Sequence, residues 1–270
     1  MSKEVPLLLL NNISKFYEGT TGLKINILEE INFSIDASDA GSQGSIISVL
    51  APFGSGKSTL LKIIAGIENP SNGEVLLNGK NIHKSDIKIP YIPEKPSSFP
   101  WLSVEQNIQF GMRLNKNELN KTTTQSLINL VGLKGYENHF PHNKSLGFRF
   151  RIALARALTL NPTLILIDDS FKTMDSETRE EMYNLLINIS IELKKVFVIS
   201  TTNVVEAIRL SNMILLMSSK PGRIIKEIIS EPENILKEET FKSEKFTHLK
   251  NEIENAFRNA KIINTINFSV

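Results

Sequence analysis

The chain has 270 residues, and 31 Lys and Arg against 29 Asp and Glu leave a formal charge of +2. That balance excludes a strongly basic nucleic-acid binder and an acidic tail protein, so no nucleic-acid partner is expected. Hydrophobic residues at 41 % and charged residues at 22 % are globular proportions. The absence of cysteine excludes disulfides, thiolate metal sites and a Cys nucleophile, and permits a reducing compartment.

In chain order, short β-like runs come first. Val5–Leu10, Ile31–Ile35, Ile46–Leu50 and Val75–Leu77 read as strands between Gly, Asn, Ser and Asp turns, and Ser58–Ile67 reads as a helix. Four prolines, Pro90, Pro93, Pro96 and Pro100, are too many for a regular element. From Val104 to about Leu160 apolar residues recur three and four apart, which predicts helices. Strands and helices then alternate: Leu164–Ile167, Ser176–Leu193, Val196–Ile199, Val204–Leu210 and Met213–Met217. This alternation predicts a parallel sheet with crossover helices. The last 40 or so residues read as a charged, mostly helical peripheral appendage. No stretch approaches the roughly 18 uninterrupted apolar residues of a membrane span, and the N-terminus has no signal-peptide pattern. The expectation is a soluble chain whose membrane contact passes through a partner. The organisation is an α/β core interrupted by a helical insertion.

Two segments carry chemistry. Ser48-Val49-Leu50-Ala51-Pro52-Phe53-Gly54-Ser55-Gly56-Lys57-Ser58-Thr59 reads as strand, loop, helix. It fits a phosphate loop, with Ala51 where the pattern has its first Gly. Gly54 and Gly56 let consecutive N–H groups face an anion, and the helix adds its positive end. Lys57 supplies a point charge for the outer phosphates and Ser58 a hydroxyl for Mg²⁺. The second segment is Leu164–Ile167 followed by Asp168 and Asp169. A buried strand delivering an acid at its end suits a Mg²⁺ contact from Asp168, with Asp169 facing the attacking water. A capped helix start is the plainer reading of the two acids.

The order of these segments resembles the ATP-binding subunits of ABC transporters. Lys144-Ser145-Leu146-Gly147-Phe148-Arg149-Phe150-Arg151, followed by Ile152–Leu158, is similar to that family's signature and its helix. Pro96–Ile108 is similar to the nitrate/sulfonate/taurine importer branch, as is the turn Pro221-Gly222-Arg223. The resemblance spans about residues 5–220.

It implies a P-loop NTPase of ABC type, α/β, with a mixed sheet core, an antiparallel β edge and an inserted helical subdomain. It divides the chain into a nucleotide-binding core over residues 1–94 and 158–222, a helical insertion with the signature over 95–157, and a C-terminal helical appendage over 223–270. It implies ATP and Mg²⁺ as cofactors. ATP would be bound by Tyr17 stacking on adenine, by Phe53, Gly54, Ser55, Gly56, Lys57, Ser58 and Thr59, and by Ser145 and Gly147 of the signature. Mg²⁺ would be held by Ser58, Asp168 and Glu94.

The implied partners are a transmembrane permease subunit and a second ATP-binding subunit, identical or not. The place is the cytoplasmic face of the cell membrane, peripherally bound. A permease segment would dock near Glu94–Met112, against Phe99, Trp101, Leu102 and Phe110.

The departures from the family cluster on catalysis. Asp169 stands for a glutamate base, Ser170 for a proline, Thr202 for the switch histidine and Glu94 for a glutamine. In the signature, Lys144, Leu146 and Phe150 stand for leucine, glycine and glutamine. The expectation is an ATPase with weak turnover, its catalytic positions being Asp169, Thr202 and Glu94. The alternative is an ATP-gated regulatory or scaffolding subunit that does not turn over.

Overall fold

The computed structural model describes residues 5–19, 22–36, 44–95, 98–114, 121–230 and 244–260. Of the segments read above, Pro96, Ser97 and residues 115–120, 231–243 and 261–270 lie outside these.

The strands are β1 Leu8–Glu18, β2 Lys24–Ile35, β3 Ser45–Leu50, β4 Asn72–Leu77, β5 Lys80–Asn81, β6 Tyr91–Ile92, β7 Leu164–Asp168, β8 Val196–Thr201, β9 Met213–Met217 and β10 Ile224–Ile229. The helices are α1 Lys57–Ile64, α2 Val104–Leu114, α3 Lys121–Leu130, α4 Leu146–Leu158, α5 Ser176–Leu193, α6 Val204–Leu210 and α7 Glu244–Asn259.

Six strands in the order β10-β9-β3-β8-β7-β6 form the central sheet. It is parallel from β9 to β6, with β10 antiparallel at its edge. A second, antiparallel sheet has the order β2-β1-β4-β5. Every residue of β3, β7 and β8 is buried, as near-continuous apolar runs covered on both faces require.

Alternate side chains of these strands feed different cores. Leu164, Leu166, Val196 and Val198 face the antiparallel sheet and α1, while Ile165, Ile167, Phe197 and Ile199 face the helical layer. A third core joins α6, α7 and β9 to β10 through Val204, Ile208, Ile214, Ile253 and Phe257. The central strand β3 touches all three, with Ile47 and Val49 in the first, Ile46 in the second and Leu50 in the third.

Several elements differ from expectation. The first strand begins at Leu8, and Val5, expected within a buried strand, is 57 % exposed. The helix expected to reach Ile67 stops at Ile64, where the chain turns through Gly66 at φ 73°. Residues 224–229, expected within a helical appendage, form a strand paired to β9. Helix α7 is not peripheral either. Its Phe246, Leu249, Ile253, Ala256 and Phe257 are buried in the third core, because its apolar side chains recur at helical spacing and α6 offers a matching face.

Candidate nucleotide site

The phosphate loop, residues 51–56, links β3 to α1 at the centre of the sheet. Gly54 and Gly56 adopt φ 74° and 93°, left-handed values that a Cβ disfavours. At Gly56 a Cβ would also meet Ile27 Cγ2 and Leu28 Cδ2 at 2.9 Å. Ala51 is fully buried and is not among the positive-φ residues, so the loop's first position does not require glycine's left-handed backbone here. The turn after β9 closes on the loop from the side. A Cβ on Gly222 would lie 2.3 Å from the Ser55 carbonyl oxygen, and Gly222 N–H donates to Ile27 O at 2.8 Å.

Lys57 is folded into the loop, 7 % exposed, and its Nζ donates to the carbonyls of Ala51 at 2.9 Å and Pro52 at 3.0 Å. Burial lowers its pKa to about 8, against the pull of Asp169 and Asp168. The loop thus holds a partly desolvated cation bonded only to neutral acceptors, ready for an anion.

The Ser58 hydroxyl donates to Asp168 Oδ1 at 3.0 Å, so the two oxygens expected to share a cation are adjacent. All donors are oxygen, the chemistry of a hard divalent ion. Among the described residues no cluster of three or more His, Asp or Glu is placed to hold a metal.

Two further hydroxyls reach the same carboxylate. Ser200 donates to Asp168 Oδ1 at 2.5 Å and Tyr91 to Oδ2 at 2.7 Å. Sequence reasoning assigned neither. Ser200 was legible in principle, because a buried serine one residue before a strand's functional end sits beside Asp168 in the parallel register. Tyr91 lies two residues before a proline, in a strand too short to read.

Asp169 follows with φ 44°, its N–H donating to Ser200 O at 3.1 Å. Burial holds its carboxyl above the usual range, against Lys57 and Lys172, and Glu94 acts in the same direction as burial. Glu94 therefore lies close enough to feel Asp169, although exposed. Ser170 donates to Pro93 O at 3.0 Å, tying the second acidic strand to the segment that carries Glu94. Thr202 sits between the end of β8 and Asn203, which caps α6 by accepting from Val205 N–H and Glu206 N–H.

Tyr17 is 42 % exposed on β1. Its hydroxyl donates to Glu68 and neighbours Thr59 of α1, while Lys15 Nζ covers one ring face at 5.0 Å. Phe53 is 78 % exposed at the loop tip.

The signature residues are elsewhere. Ser145 caps α4 by accepting from Phe148 N–H, and a Cβ on Gly147 would meet Thr178 Cγ2 of α5 at 2.5 Å. Among the described residues neither bonds to the phosphate loop. Phe150 is fully buried against Phe171, centroids 5.1 Å apart, and is a core residue. Leu146 packs partly into the same core.

A cleft between the core and the helical layer is lined by Pro90, Ile92, Pro93, Gly111, Arg156 and Leu160 among others. Beside it Phe99 stacks edge-on to Phe110 and under Arg156, and Trp101 stands 70 % exposed.

Behind the switch, Glu206 is buried and accepts from Tyr183 OH at 2.7 Å. Burial raises its pKa from 4.5 to about 7, with Asp169 adding to the rise and Tyr183, Thr201 and Arg179 opposing it. Between those pH values the folded chain keeps a proton that the unfolded chain has lost. Stability therefore falls as pH rises from about 4.5 to about 7 and stays lower above. Glu206→Gln, which still accepts from Tyr183, is expected to gain about 3 kcal/mol at pH 8 and less than half of that at pH 5. Urea unfolding at the two pH values measures this, and equal gains at both would refute it.

A phosphate loop backed by an acidic strand defines the class: a P-loop nucleotide-binding protein. The match to the ABC transporter family covers residues 29–172. The chain belongs to that family, as an ATP-binding subunit with the ABC-type ATPase fold. It is 36 % identical to the aliphatic sulfonates import ATP-binding protein SsuB of Bacillus thuringiensis subsp. konkukian, over 95 % of this chain and 98 % of that protein. It is 34 % identical to the taurine import ATP-binding protein TauB of Pelagibacter ubique, over 82 % of each. Among solved structures it is similar to the ATP-binding cassette MJ0796 in a dimeric post-hydrolysis state bound to ADP and Pi. There the TM-score is 0.71 at 26 % identity, covering 83 % of this chain and 99 % of that one.

Proposed function

We propose that the chain energises an importer by binding Mg·ATP in a two-cassette sandwich and hydrolysing it slowly. The observation that carries this is the pairing of an intact phosphate and cation half, Lys57 with the adjacent Ser58 and Asp168, with a catalytic half in which Asp169 and Thr202 replace longer or more basic groups. Mg²⁺ would be held by Ser58 and Asp168, with Glu94 approaching from the segment that follows β6 in the core. The signature residues Ser145 and Gly147 would serve the nucleotide of the opposite cassette, consistent with their lack of bonds to their own loop.

The core, residues 1–94 and 158–222, would hold ATP. The insertion, residues 95–157, would dock a membrane permease at the cleft beside Phe99 and Trp101, on the cytoplasmic face. ATP binds the closed pair better than the open one and so shifts that equilibrium. The similarity to import proteins over nearly their full length supports the importer direction.

The test is Mg·ATP binding, ATP-dependent dimerisation by light scattering, and steady-state turnover of the purified chain. Binding and dimerisation with turnover well below about 1 s⁻¹ is expected. Turnover at or above that rate would show the altered residues to be working substitutes. A dimer that binds ATP with no turnover at all would favour an ATP-gated regulatory subunit, the reading that the Asp169 and Thr202 replacements also support.

A further inference from the structure

Lys172 stands in the loop between β7 and α5, three residues after Asp169. It is exposed, and among the described residues it makes no ion pair, although carboxylates are close. Its Nζ lies 5.2 Å from the centroid of Phe53, at the exposed tip of the phosphate loop. Its charge acts on both Lys57 and Asp169, the groups that flank the outer end of a bound triphosphate. Lys220 also approaches the loop, its Cε 3.8 Å from where a Cβ on Gly54 would be. Two lysines from separate elements thus lie near the tip, and Lys172 is the one whose charge reaches Asp169.

We propose that Lys172 is a further phosphate-binding residue of the nucleotide site, held by the Phe53 ring and directed at the terminal phosphate of ATP. The inference rests on the nucleotide-binding reading above. Three features support it. A cation resting on an exposed aromatic face is held only weakly, so a phosphate oxygen can draw it off. The lysine stem spans the gap from the loop after β7 to the loop after β3 without a backbone change. Finally, the switch position here is Thr202, a neutral hydroxyl, so the terminal phosphate lacks a basic partner on that side, and Lys172 supplies one.

The experiment compares wild type, Lys172→Gln and Lys172→Arg for Mg·ATP and Mg·ADP affinity by calorimetry. Lys172→Gln is expected to weaken ATP binding about tenfold, the low end for a charge-assisted phosphate contact, and to leave ADP binding unchanged within about twofold. Lys172→Arg is expected to restore most of the ATP affinity. Equal losses for ATP and ADP would assign Lys172 a structural role and overturn the proposal, as would no change for either. A wild-type chain that binds neither nucleotide would overturn the nucleotide-site reading itself, and this inference with it.

Discussion

Lys57→Ala is expected to weaken ATP binding by more than a hundredfold while leaving the thermal midpoint unchanged or higher. Two charge-assisted contacts to phosphate contribute on the order of 3 kcal/mol together, which is more than two decades of affinity. Stability moves the other way because the ammonium is buried and bonded only to the Ala51 and Pro52 carbonyls. Its pKa falls from 10.5 to about 8, so folding disfavours its charge. Between those values the unfolded chain binds more protons, and stability rises with pH across that window. Alanine removes the desolvated charge and the window with it. Calorimetry gives a second reading. Near pH 8 about half of the Lys57 side chains are neutral, and an arriving triphosphate restores the charge, so wild type should take up a fraction of a proton per ATP. Buffers of different ionisation enthalpy expose that uptake. A variant that keeps ATP affinity, or a wild type without proton uptake, would contradict the role given to Lys57.

The second large effect is expected at Asp169. Asp and Glu differ little in intrinsic pKa, so the consequence of the shorter side chain is reach, one C–C bond of about 1.5 Å. A misplacement of about 1 Å costs roughly a hundredfold in rate, near 2.7 kcal/mol. Asp169→Glu should therefore raise turnover by up to about two decades. The backbone opposes this change modestly. Asp169 sits at φ 44°, where aspartate is tolerated better than glutamate, so a stability loss of about 0.5–1 kcal/mol is expected. The gain in reach outweighs it. Because burial raises the Asp169 pKa, wild-type turnover should climb with pH through a midpoint above the ordinary carboxylate value. Asp169→Asn should flatten that profile near zero. Turnover that is unchanged or lower in the glutamate variant would exclude Asp169 as a base limited by reach.

Local pattern carried the phosphate loop and the second acidic strand into view. Gly54, Gly56, Lys57 and Ser58 lie within five residues, and Leu164–Asp168 is a continuous apolar run ending in an acid. What the sequence left hidden depends on tertiary placement. Lys172 reads as an ordinary loop lysine, and only the approach of β3 to β7 through β8 brings it over Phe53. Ser200 and Tyr91 meet Asp168 from two strands on either side of β7. The strand β10 escaped because Lys226 and Glu227 break its alternation. The burial of α7 escaped because its charged face dominates its composition, while the apolar stripe that docks it is narrow. Phe150 was weighed as a signature position, yet its ring is core, since the aromatic side chain finds Phe171 beneath it.

The strand β3 is hydrogen-bonded on both edges and presses on three separate hydrophobic cores before it releases the chain into the phosphate loop. Its amides can meet solvent only when all three cores open together, so hydrogen exchange from Ile47 to Leu50 should report the global unfolding free energy. A few residues on, the Gly54–Gly56 amides have no such protection and should exchange through local opening. The molecule thus sets backbone expected to exchange through local opening directly beside backbone expected to exchange only on global unfolding. A nucleotide arriving at the loop can reorganise it, and be released again, while the frame behind it keeps its deuterium record intact.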